Sequence, residues 1–181
     1  VTEVYPEDYR GWNNLGVCQY KMGDYNAAAK NFAKAAKINP ASNEAAMNQG
    51  LSALINENYG EAKQLLGAAA GAEGLNEALG TYYIKTGDYN AAAGAFGNSV
   101  GNNAALAKIL TKDYSGAKQT LAAIANPDAT SYYLMAVVGA RTNNEQMVTT
   151  NLRQAVKLDS SLANRAKNDL EFAKFNLSSV L

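Results

Sequence analysis

Residues 21–32 read KMGDYNAAAKNF, and residues 85–96 read KTGDYNAAAGAF. Two looser copies follow the same plan, NENYGEAKQLL at 56–66 and TKDYSGAKQTL at 111–121. In each, Asp or Asn precedes a tyrosine, alanine stands three residues after it, and a large apolar residue stands four beyond that. The tyrosines are Tyr25, Tyr59, Tyr89 and Tyr114, and the interval between them shortens at each step along the chain. Asp24, Asn58, Asp88 and Asp113 suit the position that begins a helix, where a short side-chain oxygen accepts an orphan backbone N–H. Gly23 and Gly87 suit the left-handed position that ends the helix before. Each stretch therefore predicts helix, tight turn, helix. Ala28 with Phe32, and Ala92 with Phe96, fall on one helical face, small then large. The small member lets a paired helix approach closely.

Working outward, Trp12, Leu15 and Gly16 precede the first turn, and Ala35 and Pro40 follow it. Leu79, Gly80 and Tyr83 precede the third. With Tyr25, Ala28 and Phe32, these residues resemble the tetratricopeptide repeat, a unit folded as two antiparallel helices. The period of that repeat equals the interval from Tyr25 to Tyr59. The first copy departs from the pattern at Gln19, where an aromatic residue is usual. A second copy spans residues 43–71, with Gly50, Tyr59, Ala62 and Leu66 in register. A short one centres on Tyr114, Ala117 and Leu121. The last holds Tyr132, Val148, Leu152 and Ala155, with Glu145 in place of the turn tyrosine. Serial copies of one period imply stacked helix pairs. The resemblance implies an all-α solenoid of about five helix pairs, the middle ones shortened.

The expected organisation has three parts. Val4 and Pro6 lie one full period before Ile38 and Pro40, so residues 1–8 read as the tail of a preceding repeat; the plainer reading is a leader ahead of the first helix. Residues 9–158 form the array. In residues 159–181, Leu162, Ala166, Leu170, Ala173 and Leu177 recur at helical spacing beside charged residues, which predicts a capping helix with a polar outer side.

Composition excludes more than it assigns. The chain of 181 residues is 48% hydrophobic and 18% charged, which is globular. Sixteen basic and sixteen acidic residues balance, leaving no electrostatic footprint for nucleic acid. No apolar run is long enough to span a bilayer. Histidine, the commonest general base and zinc ligand, is absent, so no metal, no cofactor and no enzymatic activity is expected. Cys18 reads as a core filler. One cysteine is compatible with cytoplasm and envelope alike; the general look of an asparagine-rich repeat array inclines the reading to a bacterial cell envelope or periplasm, with cytoplasm as the alternative.

What remains is surface. In the family resembled, the first helix of each pair lines a concave side that holds peptides. The resemblance implies a non-enzymatic scaffold that binds a protein or peptide segment in a largely apolar groove. Its residues would be Asn13, Val17, Tyr20, Met47, Asn48, Leu51, Leu54, Ile55, Ile84, Leu106, Ile109 and Tyr133. Periodicity alone does not separate such a groove from a packed seam between helices. The alternative is a structural element whose inner face is covered by a preceding region of the same protein or by a second copy, as a homodimer. The shortened middle, with Gly94, Gly97 and Gly101, predicts a segment at 94–110 that departs from regular stacking and opens readily.

Overall fold

The computed structural model describes residues 2–178 and residue 180. Among the described residues all regular structure is helical, and the chain divides into two compact units between Asp88 and Tyr89. The first unit holds α1 (Tyr9–Lys21), α2 (Tyr25–Ile38), α3 (Asn43–Ile55), α4 (Tyr59–Ala68) and α5 (Leu75–Thr86). The second holds α6 (Tyr89–Phe96), α7 (Asn102–Leu110), α8 (Tyr114–Ala122), α9 (Ala129–Arg141), α10 (Glu145–Leu158) and α11 (Leu162–Asn168), then a 3-10 turn at Leu170–Phe172. Successive helices pack as antiparallel pairs, α1 on α2, α3 on α4, α7 on α8 and α9 on α10. This is an α-solenoid of helix pairs with a short terminal cap.

The turn residues act as their chemistry requires. Asp24 accepts the Ala27 N–H at 3.1 Å, and Asp113 accepts the Gly116 N–H at 2.9 Å. Asn144 does the same for Met147 at 2.9 Å, so the last pair keeps its cap although Glu145 replaces the tyrosine. Gly23 and Gly87 hold φ of +83° and +85°, the left-handed geometry that stops a helix. In the other turns Glu57, Lys112 and Asn143 occupy that region, and of these only Asn tolerates it well.

Packing of the first pair centres on one close approach. Ala28, Phe32 and Ala35 are fully buried on α2. A Cβ added to Gly16 would lie 2.6 Å from the Phe32 ring, so α1 must be bare there for the ring to fit. The second pair repeats the device: a Cβ added to Gly50 would lie 2.8 Å from the Leu66 side chain. The sequence pattern placed Ala28 and Phe32 on one buried face of α2, as found, but the bare glycine of the partner helix against the ring is a further feature of the packing.

Two expectations are corrected. Cys18 is exposed rather than a core filler. With Thr2, Gly11, Asn14 and Leu15 it lines an open cavity on the outer side of α1. The positions one period later, Ala45, Asn48 and Ser52, are buried because α2 packs on α3. The same face of α1 receives no such helix among the described residues. The cap also differs. Helix α11 stops at Asn168 because Asp169 turns extended and its carboxylate accepts the Glu171 N–H at 3.0 Å. Leu170 is therefore 90% exposed, and Phe172 enters the core of the second unit instead.

Helices α6 and α7 have 8 and 9 residues, against 13 and 14 for α1 and α2, and α7 starts without a side-chain cap. Short helices bury little against their neighbours, so local opening should be easiest here. Amide hydrogen exchange across Ala95–Leu110 is expected to run roughly tenfold or more faster than across Trp12–Ala35. Equal protection in the two segments would refute this.

Candidate functional site

The twelve residues predicted to line a groove separate by burial. In the first unit, Val17 and Tyr20 on α1, Met47, Leu51 and Ile55 on α3, and Ile84 on α5 are half-buried. Leu54, at 1% exposed, and Asn48, at 6%, are core. Leu54 packs with Ala53 and Ala62 beside Tyr59, Leu65 and Tyr82. The Asn48 amide donates to the Asn13 side-chain oxygen at 2.7 Å, which ties α3 to α1. Leu54 and Asn48 are thereby removed from any partner surface. Helical spacing had grouped Leu51, Leu54 and Ile55 together, yet the buried face takes Leu54 and leaves its two neighbours at the edge.

The half-buried residues are aliphatic, thioether or aromatic side chains on α1, α3 and α5. Tyr20 meets Tyr25 edge-on, with ring centroids 5.4 Å apart, and burial followed by the Tyr25 charge raises its phenol pKa. It is a neutral aromatic surface across the physiological range. Met47 lies over Gly74, its sulfur 3.8 Å from where a Cβ would stand.

In the second unit, Leu106 is half-buried while Ile109 and Tyr133 are 6% and 5% exposed. Ile109 is core and is withdrawn from the groove. Tyr133 is likewise core, but its ring edge and Leu106 both border a cavity of about 180 Å³ between α7, α9 and α11. Leu134, Leu162 and Arg165 line it with the polar residues Asn102, Asn103 and Thr130. None of these six was in the sequence-based set, and the position of Arg165 over Tyr133 depends on how α11 docks.

Tyr133 is held on two sides. Its hydroxyl donates to Asp169 at 2.6 Å, and its ring meets Phe172 edge-on at 5.5 Å. Burial, then the Asp169 hydrogen bond, pushes the phenol far above its ordinary range, so it stays protonated. Nearby, burial opposes ionisation of Asp128, but hydrogen bonds from the Ser131 N–H, the Asn102 amide and the Ser131 hydroxyl outweigh it and hold the carboxyl below its usual pKa. Among the described residues no group of three His, Cys, Asp or Glu side chains is arranged to hold a metal, and no helix is long and apolar enough to cross a membrane.

The fold defines a helical-repeat protein built of stacked helix pairs. The tetratricopeptide repeat family model matches residues 9–42. Two solved structures share the fold. One is YrrB, a TPR protein with an unusual peptide-binding site, 22% identical over 93% of this chain and 96% of its own, with a TM-score of 0.61. The other is a tetratricopeptide repeat protein from Parabacteroides merdae, 13% identical over 91% of this chain and 71% of its own, with a TM-score of 0.68. No curated protein matches significantly. Residues 9–42 thus match a tetratricopeptide repeat, and the chain shares the fold of solved tetratricopeptide-repeat structures.

Proposed function

We propose that the protein is a non-enzymatic scaffold that holds an extended or helical segment of a protein partner on the first-helix face of its first unit. The observation that carries this reading is the row of half-buried apolar side chains at Val17, Met47, Leu51 and Ile55, on the two successive first helices α1 and α3. Apolar groups left at the edge of a packed face gain from being covered. The likeness of fold to a protein with a peptide-binding site gives further support. The absence of histidine and the balanced charge favour a protein partner over a substrate or a nucleic acid.

The magnitudes point to modest affinity. Full burial of one such side chain is worth about 1.5–3 kcal/mol, and half-buried ones gain only part of that. Association costs about 4–15 kcal/mol, so a short peptide should bind in the micromolar range. The test uses peptides selected on the whole chain by display and measured by fluorescence anisotropy. Leu51→Asp with Ile55→Asp should weaken binding roughly tenfold or more. A milder pair, Leu51→Ser with Ile55→Thr, guards against loss of the fold. If either pair keeps its helical circular dichroism and binds as the parent does, the reading fails. A parent protein that sediments as a dimer, and a variant that sediments as a monomer, would assign the face to self-association instead.

A further inference from the structure

We propose that the outward face of the second helix α2, with its row Lys30, Lys34 and Lys37, docks an acidic helix of a protein partner whose carboxylates repeat at the same spacing. This goes beyond the reading above, which concerns apolar contact on the first helices. The three lysines stand at i, i+4 and i+7, so they share one side of the helix, and all three are exposed. The opposite side, at Ala28, Phe32 and Ala35, is buried. Ala33 lies within the row, and Ala29 and Ala36 flank it, so no bulky side chain holds a partner's backbone away.

The row has no counter-charge of its own. Helix α2 contains no acidic residue, and none of the three lysines makes an ion pair among the described residues. No other helix carries more than two basic residues. Like charges four apart repel along a helix, so carboxylates laid over them relieve a cost as well as forming pairs. Lys34 is already held in place. Its ammonium lies 3.3 Å from the centroid of the Trp12 ring, and the Trp12 indole donates to the Pro6 carbonyl at 2.8 Å. A fixed cation loses less freedom on pairing, and an ammonium over a ring keeps N–H donors for a carboxylate. The rest of the unit selects the kind of anion. Across residues 1–88 acidic side chains outnumber basic ones by ten to seven. A nucleic acid or an anionic bilayer would press its phosphates against those carboxylates too, whereas a short acidic helix meets the row alone.

The experiment titrates the whole 15N-labelled chain, at low ionic strength, with a capped alanine–glutamine peptide of about 20 residues, long enough to be helical, carrying three glutamates at i, i+4 and i+7. Shifts should concentrate at Lys30, Ala33, Lys34 and Lys37 and at the Trp12 indole N–H. Binding should lie in the high-micromolar to millimolar range and weaken severalfold at physiological salt. Replacing the three glutamates by glutamine should weaken it roughly tenfold, and Lys37→Gln, which spares the Trp12 contact, about twofold to fivefold. Leu51→Asp, which disrupts the apolar contact proposed above, should leave this binding unchanged. Equal binding of the glutamine peptide, of a peptide whose three glutamates point to different sides, or by the Lys37→Gln protein would overturn the proposal. So would shifts centred elsewhere, or none up to ~10 mM peptide. Phosphatidylserine vesicles or a short single-stranded DNA that perturb the row more strongly than the peptide would overturn it too, by making a phosphate surface the ligand.

Discussion

Phe32→Ala should destabilise the first unit by about 3–5 kcal/mol. Phe32 is 1% exposed, and its ring fills the space that Gly16 leaves bare. Truncation removes the transfer free energy of the ring and opens a cavity that the backbones of α1 and α2, already close, fill poorly. Trp12 is the one tryptophan of the chain and lies in α1, with the Lys34 ammonium 3.3 Å from its ring centroid. Its fluorescence in a urea titration reports this unit. The converse substitution, Gly16→Ala, puts a methyl group 2.6 Å from the ring and should cost about 1–3 kcal/mol. The two changes touch the same space, so their double variant should be less destabilised than the sum. Additive losses would show that α1 and α2 do not meet as described.

Phe172→Ala should have a comparable effect on the second unit, again about 3–5 kcal/mol. Phe172 is 2% exposed and sits in one core with Val138, Val148 and Leu152. It also holds the edge-to-face contact with Tyr133. The cap is clamped beside it by Asp169 on Tyr133 and by a two-pronged ion pair between Glu171 and Arg141. Tyr133→Phe keeps the ring and deletes only the donor to Asp169, so it should cost less, about 1–3 kcal/mol. Hydrogen exchange across α9 and α10 reads both. If Phe172→Ala leaves that protection unchanged, the cap contributes nothing to the unit's stability.

The fold was legible because two rules coincide in the repeats. A capping Asp or Asn before the turn tyrosines marked the helix starts, and an alanine followed four residues on by a large apolar residue, Ala28 with Phe32 and Ala92 with Phe96, marked the buried face. The site was less legible. Leu51, Leu54 and Ile55 share a helical face, and periodicity cannot say which of them the neighbouring helices will cover; the fold buries Leu54 and spares the others. Cys18 was misread for the same reason. Its register equivalent Ser52 is buried by α2, while the matching face of α1 has no helix against it among the described residues. The cap was misread differently. Leu170 kept helical spacing with Leu162 and Ala166, but Asp169 ends the helix between them, and one residue of irregular backbone sends Phe172 inward. Arg165 gains its meaning only from the docking of α11 beside Tyr133.

Contact through the first helices is the central claim, and amide shift mapping tests it most directly. A peptide selected on the whole chain, titrated into 15N-labelled protein, should shift Val17, Met47, Leu51 and Ile55 most strongly. Shifts confined to the outer sides of α2 and α4, at residues such as Lys30 and Lys63, would contradict it.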